Sequence, residues 1–286
     1  MSKAPIDVLR KHALRVHDDV AEMLNTDSEL EEDAIHGLRV AAKEVRALWQ
    51  LLKPLLDDAR AEQAITSLGQ AAGSLSEARD QYVTGDTLAR LCQRARSKDA
   101  HQALASALQL LQTTRSESGA RALASGQLRE SWAEDLKRWQ TLDISVSQSE
   151  LIAEGYGRLY RKAHRLTHSA LDNDDIQLWH SLRKWVKYLA LTLPLAGDSD
   201  KLEVLCDDIT RLGKKLGRLH DLDRLLIELA TLEWPDNDSE QPAYVSHLIR
   251  REMGTVLDGC AALSKNLFDE EPRKFIRQLK RHNLAR

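Results

Sequence analysis

AIHGLRVAAKEVRALWQLLKP, residues 34–54, sets His36, Arg39, Lys43 and Arg46 on a background of Leu, Val, Ala and Trp. Wound as a helix at about 100° per residue with His36 at the origin, Arg39, Lys43 and Arg46 fall at roughly 300°, 340° and 280°. Leu38, Ala41, Val45, Leu48, Trp49 and Leu52 fall opposite, between roughly 120° and 220°. The stretch predicts an amphipathic helix with an apolar stripe toward a core and a polar side that is nearly all cationic. Glu32, one turn before His36, is the acid on that side.

LWHSLRKWVKYLALTLPLA, residues 178–196, repeats the opening of this spacing with His180, Arg183 and Lys187, each 144 residues beyond its counterpart (36 to 180, 39 to 183, 43 to 187). Lys184 flanks them, while Leu182, Trp185, Leu189 and Leu193 take the other side. Downstream, LGQAAGSLSEARD (68–80) matches LGKKLGRLHD (212–221). The Leu-Gly pairs keep the offset, and Arg79-Asp80 answers His220-Asp221 after a three-residue gap. A repeat this long predicts two related helical units, not a solenoid of short ones. The whole of 1–286 reads as a single domain made of an N-terminal half, 5–140, and a C-terminal half, 149–282. Each half has room for roughly five or six helices, a four-helix bundle plus extras. TLDISVSQSE, 141–150, is the linker between them. Ser28-x-x-Glu31 is expected to cap the first motif helix. Asp200-x-x-Glu203 is expected to open another after the turn at Gly197-Asp198, and breaks are expected around Arg115 to Gly119 and at 235–242.

Composition agrees with helices: Leu and Ala dominate, Phe occurs twice and β-branched runs are nearly absent. Net charge is −3, so the 41 Lys and Arg serve an anionic ligand only if folding gathers some of them. Cys92, Cys206 and Cys260 are odd in number and far apart, without metal spacing, which points to a reducing compartment. The charged N-terminus lacks the apolar run of a signal peptide, and the apolar stretch 188–196 is too short for a bilayer. A soluble, cytoplasmic protein with no membrane contact is the expectation.

Two more cationic stripes occur. Arg158, Arg161, Lys162 and Arg165 line GYGRLYRKAHRL, and Arg211, Lys214, Lys215 and Arg218 line RLGKKLGR. Solvated helix faces usually mix signs, because like charges at i,i+4 cost a little. Four one-sign stripes instead suggest an anion site. Guanidinium forks bind phosphate oxygens bidentately, Lys adds point charge, and His donates from a ring nitrogen. A duplicated stripe, longer than one phosphate needs, points to an extended polyanion.

HGLRVAAKEVRA, HSLRKWVK, Ala-Arg-Asp at 78–80 and Leu-His-Asp at 219–221 together resemble the CHAD family, the conserved histidine α-helical domain, over about residues 5 to 282. The resemblance implies an all-α fold of two pseudo-symmetric, four-helix-bundle-like halves around a basic central cavity. It also implies binding of inorganic polyphosphate, often on polyphosphate granules, and makes His36, Arg39, Lys43, Arg46, Arg79, His180, Arg183 and Lys187 the motif positions. Glu44 departs from the pattern, standing where the family often has a second base. Ala190-Leu191 occupies the place of Arg-Tyr, so Arg46 has no counterpart, and the second half is expected either to bind more weakly or to lean on Arg158, Arg165, Lys214 and Arg218. With Lys184 these complete the expected binding set.

The rivals are a metal-dependent phosphohydrolase and an RNA-binding protein. His17-Asp18 and His220-Asp221 spell HD, but a metal site needs further ligands that the sequence does not place. His164 and His168 stand at i,i+4 without an HExxH motif and read as two exposed helix histidines. Single-stranded RNA favours aromatics among the cations, whereas Trp49, Trp185, Tyr156 and Tyr160 are expected on apolar faces. No nucleophile–base pair, acid dyad or Gly-rich phosphate loop emerges. The expectation is binding without catalysis, metal or cofactor.

Overall fold

A computed structural model describes residues 4–25, 29–56, 59–116, 126–234 and 240–283, with side chains for all of these but 76–82, 115, 116, 282 and 283. The fold is all-α, and the described residues form no strand. In chain order the helices are α1 (Pro5–Leu24), α2 (Glu32–Leu52), α3 (Arg60–Ser74), α4 (Ser76–Arg94), α5 (Lys98–Ser116) and α6 (Gly126–Gln140). There follow α7 (Gln148–Glu150), α8 (Gly157–Asp172), α9 (Ile176–Thr192), α10 (Asp200–Leu229), α11 (Gln241–Phe268) and α12 (Pro272–Asn283). A wide π turn, Leu151–Tyr156, joins α7 to α8.

The ends of these helices have local causes. Pro5 opens α1 and Pro272 opens α12, where a missing N–H is harmless. α2 and α9 each tighten into a 3-10 turn containing a proline, Lys53–Leu55 and Leu193–Leu195, because proline cannot continue the ladder. Residues 142–147, within the stretch 141–150 read as a link, form no helix, and the segments on both sides of them belong to one compact unit. That stretch ends in a capping box: the Ser147 hydroxyl accepts from the Glu150 N–H while the Glu150 carboxylate accepts from the Ser147 N–H. α10 opens at Asp200 as expected, with Ser199 Oγ accepting from the Leu202 N–H at 3.4 Å. The cap expected at the start of α2 is different. Ser28 lies outside the described residues, and the N-cap is Glu31, whose side chain makes no capping bond. The break expected at 115–119 falls where α5 ends, and residues 117–119 lie outside the described ones. Of 235–242, residues 235–239 also lie outside them; α10 ends before at Leu229 and α11 opens at Gln241.

The chain packs as two compact units, the first made of 1–75, 122–213 and 263–286, the second of 76–121 and 214–262. Each unit takes segments from both sequence halves. α1–α3 and α6 join α7–α9, the start of α10, the end of α11 and α12 in the first; α4 and α5 join the remainders of α10 and α11 in the second.

In the first unit α2 packs against α1, α3, α8, α9 and the π turn. Its apolar stripe is buried as expected, with Leu38, Val45, Leu48 and Leu52 each at most 1% exposed. From Ala47 to Leu52 every residue is buried, so this end of the helix is enclosed on all sides. Here Trp49 Nε1 donates to Asp135 Oδ1 of α6 at 2.9 Å, and His17 Nε2 of α1 meets Asp135 Oδ2 at 2.9 Å. Trp139 packs on Trp49 with ring centroids 4.4 Å apart, and Trp132 sets its edge on His17. Where the π turn crosses α2, a Cβ on Gly155 would come within 2.7 Å of the Leu51 carbonyl oxygen, so only glycine permits the approach.

The second unit contains α4 packed on α5, joined by residues 95–97. His101 Nδ1 lies 3.1 Å from the Cys92 carbonyl oxygen, and Ser97 Oγ accepts from the Ala100 N–H at 3.2 Å to cap α5. Arg218 of α10 is ion-paired with Glu252 of α11. Burial pushes the Cys260 thiol up to about 12, so it behaves as a small apolar side chain.

Replacing Asp135 by alanine leaves two buried N–H donors without an acceptor and is expected to cost about 3 kcal/mol or more in urea denaturation. A loss below about 1 kcal/mol would show that the helices do not depend on this carboxylate. Gly155→Ala forces a methyl onto a backbone oxygen and is expected to cost about 1–3 kcal/mol. A melting temperature equal to wild type would contradict the close crossing.

Candidate anion-binding site

The motif helices α2 and α9 pack directly on each other within the first unit. With α2 held by Trp49, its cations emerge on the side away from the core: His36 and Lys43 are exposed, Arg39 and Arg46 half-buried. Arg39 Nη1 donates at 3.2 Å to the Ala72 carbonyl, near the C-terminal end of α3. The positive side chain also suits the negative pole of that helix.

One helical turn beyond Lys43, Arg46 rests on Gly69 of α3. A Cβ on that glycine would stand 3.4 Å from the guanidinium carbon. Arg46 Nε is buried and has no hydrogen-bond partner among the described residues. Toward α9, Arg46 is close enough to Lys184 for its charge, after desolvation, to lower the lysine pKa. Tyr188 feels both Arg46 and Arg158: burial raises its pKa, and both cations pull it back.

α8 supplies the other side of the cluster. Arg158 Nη1 donates to the Gln50 carbonyl and to Gln50 Oε1 of α2, both at 3.0 Å. Its guanidinium lies 5.2 Å from the centre of the Trp185 ring, and the Lys162 ammonium lies 5.9 Å from it. Desolvation lowers the Arg158 pKa first, and Arg161 adds to it. Lys162 is lowered chiefly by the charge of Arg165. The nearby acid is Glu62 of α3, whose carboxyl is held down mainly by a 2.9 Å bond from Lys53 and also by Arg158. Arg46, Arg158, Lys162 and Lys184, from three helices, thus crowd around Trp185 and Tyr188. Chemically such an arrangement suits an anion, since each charge raises the cost of its neighbours and a negative ligand would relieve all of them.

The sequence profile of the CHAD domain matches residues 8–281. The chain belongs to the CHAD domain family. CHAD domains are known for binding polyphosphate. No curated protein and no solved structure matches the chain.

Within this CHAD domain the expected set is distributed unevenly. Arg46, Arg158 and Lys184 come together, and Arg165 acts on Lys162 beside them. His180, Arg183 and Lys187 lie half-buried on α9, and the Lys187 stem runs over Gly213 of α10, its Cε 3.9 Å from where a Cβ would be. Gly69 and Gly213, the repeated Leu-Gly positions, therefore each face a motif cation. Lys214 and Arg218 belong to the second unit, where Arg218 engages Glu252. The side chain of Arg79 lies outside the described residues. The departing residue Glu44 turns to α1, 3.3 Å from His12 Nε2.

Trp185 corrects one expectation. It was placed with the core, but it is only half-buried and carries two cations of α8. Trp49, Tyr156 and Tyr160 are buried as expected. His17 is spent on Asp135, and Asp18 is exposed. His164 and His168 lie with ring centroids 4.5 Å apart, His168 exposed and His164 half-buried. Among the described residues no three His, Cys, Asp or Glu side chains converge as metal ligands. No described helix is long and apolar enough to cross a membrane.

Lys162 and Trp185 were absent from the expected binding set. Lys162 had a signal, its place in the α8 stripe. Trp185 had none, because nothing local in the sequence says which helix covers its ring.

Proposed function

We infer that this chain binds inorganic polyphosphate, without turnover, through the cationic cluster of its first unit. The observation that carries this reading is the crowding of Arg46, Arg158, Lys162 and Lys184 at Trp185 and Tyr188, with the Lys184 pKa lowered by desolvation and then by Arg46, and that of Lys162 chiefly by Arg165. Such crowding costs the fold, and a ligand of opposite charge would offset it. Arg46 Nε adds a buried donor that a phosphate oxygen would satisfy. His36, Arg39, Lys43, Arg165, His180, Arg183 and Lys187 extend the charge along the same helices, so a chain of phosphates suits the surface better than one. Lys214, Arg218 and Arg79 remain additional contacts in the proposal.

The two sequence halves are read as structural repeats, supported by the equivalent segments each contributes to each unit. In the cell the proposal places the chain with polyphosphate stores, granules among them. Single-stranded RNA is the competing ligand, since Trp185 offers one partly exposed ring. That ring already carries Arg158 and Lys162, which disfavours stacking of a base.

Titration of long-chain polyphosphate is expected to give an affinity that falls with salt, by about 0.7 log units per log unit for each phosphate contact. Combining Arg46→Gln, Lys162→Gln, Lys184→Gln and Lys187→Gln should weaken binding at least about 100-fold and flatten that slope. RNA of equal charge should bind more weakly than polyphosphate. A quadruple variant that binds like wild type, or RNA that binds as tightly, would overturn the reading.

The lowered lysine pKa values set a sign. An anion raises them toward the ordinary value, so binding takes up protons where these lysines titrate, and affinity falls as pH climbs toward the ordinary lysine value of about 10.4. Calorimetry in buffers of different ionisation heat measures the uptake. Proton release on binding would contradict the crowded-cation account.

A further inference from the structure

The second unit holds a cavity of about 840 Å³ that the reading above does not use. Its wall is built from α4, α5, the link between them, and the second-unit parts of α10 and α11. Four guanidinium-bearing side chains line it: Arg94 at the end of α4, Arg96 in the link, Arg218 on α10 and Arg251 on α11. The one carboxylate in the lining, Glu252, is held by Arg218. Among the described residues no carboxylate pairs with Arg94, Arg96 or Arg251, so the cavity carries surplus positive charge.

The rest of the lining is mainly apolar. Leu91, Leu104 and Leu248 contribute aliphatic surface, and Tyr244, 38% exposed, contributes an aromatic ring. This mixture decides the class of ligand. A bare phosphate chain meets the arginines but leaves the apolar wall wet, and an uncharged apolar molecule covers the wall but takes water from guanidiniums without replacing it. The volume falls in the range of small-molecule sites, about 300–1,000 Å³, and an apolar lining with a few convergent polar groups is how such sites orient a ligand. Arginine forks grip phosphate bidentately, and the face of Tyr244 accepts a flat or branched apolar body.

We propose that this cavity binds a small organic phosphate, an apolar or aromatic body carrying two or three phosphate groups. Nucleotides and isoprenoid diphosphates share that chemistry. The site is independent of the polyphosphate cluster. Arg218 alone was counted in both, and the test therefore leaves it unchanged.

The full chain is titrated calorimetrically with ATP, farnesyl diphosphate and tripolyphosphate at equal ionic strength. At least one organic phosphate is expected to bind about tenfold or more tightly than tripolyphosphate, which has charge without a body. ATP as the better ligand assigns an aromatic body, and farnesyl diphosphate an aliphatic one. Arg96→Gln and Arg251→Gln, both at exposed positions, should each weaken that binding about tenfold. Leu248→Trp should fill the space and abolish it, and the arginine variants decide the matter if that chain fails to fold. Long-chain polyphosphate binding should survive all three changes. The Arg46, Lys162, Lys184 and Lys187 combination should in turn retain organic phosphate binding, so the two proposals fail separately. Tripolyphosphate binding as tightly as both organic ligands, or arginine variants that bind normally, would overturn the assignment.

Discussion

Asp135 has no exposed surface, and its charge is met by two N–H donors, His17 on α1 and Trp49 on α2. A carboxylate withdrawn from water costs several kcal/mol unless its oxygens are occupied, so α1, α2 and α6 pack favourably only with both donors in place. That requirement fixes the rotation of α2. At about 100° per residue, Arg46 falls roughly 60° around the helix from Trp49, Arg39 roughly 80°, Lys43 roughly 120° and His36 roughly 140°, so all four take the polar side. A slip of one residue would swing the cations by about 100° and bring Glu44 into their place. The placement of the charge is thus settled inside the core, by groups that never meet a ligand.

The cationic cluster runs against the fold that holds it. Arg158 is drawn off into bonds with Gln50 and onto the Trp185 face, Arg39 is spent partly on the end of α3, and Glu62 supplies a nearby negative charge. Each of these softens the repulsion without removing it, and the lysines register the remainder in lowered pKa values. A folding sequence without use for an anion would sooner interleave acids here, as it does at Arg90–Asp86 and Arg138–Glu134.

Much of this was legible in the residues. Periodicity alone gave the buried stripe of α2 and the side from which its cations emerge, because a helix has one rotation per residue. The helix-free stretch at 142–147 and the start of α10 followed from composition and turn chemistry. The partner of His17 was not legible: Asp135 lies 118 positions away and looks like any acid on an amphipathic helix. The surroundings of Trp185 are not legible for a related reason. A helical wheel says which side of α9 the ring occupies, but α8 determines that arginine and lysine lie against it. The capping box at Ser147 is legible after the fact, since Ser-x-x-Glu stands at 147–150, but the polar residues around it mask the signal.

The wide turn at Leu151–Tyr156 limits how the chain can change length. It holds a residue more than an α-helical turn would, and Gly155, where the backbone touches α2, sits inside it. Deleting one position would let the ladder close as an ordinary helix, with no local loss. Everything upstream would then be turned by about 100° about the axis, taking the Ser147 cap and the link out of register with α8. Insertions and deletions at this spot are therefore invisible in secondary structure and felt only in assembly, which makes the surplus residue a phase-setting spacer.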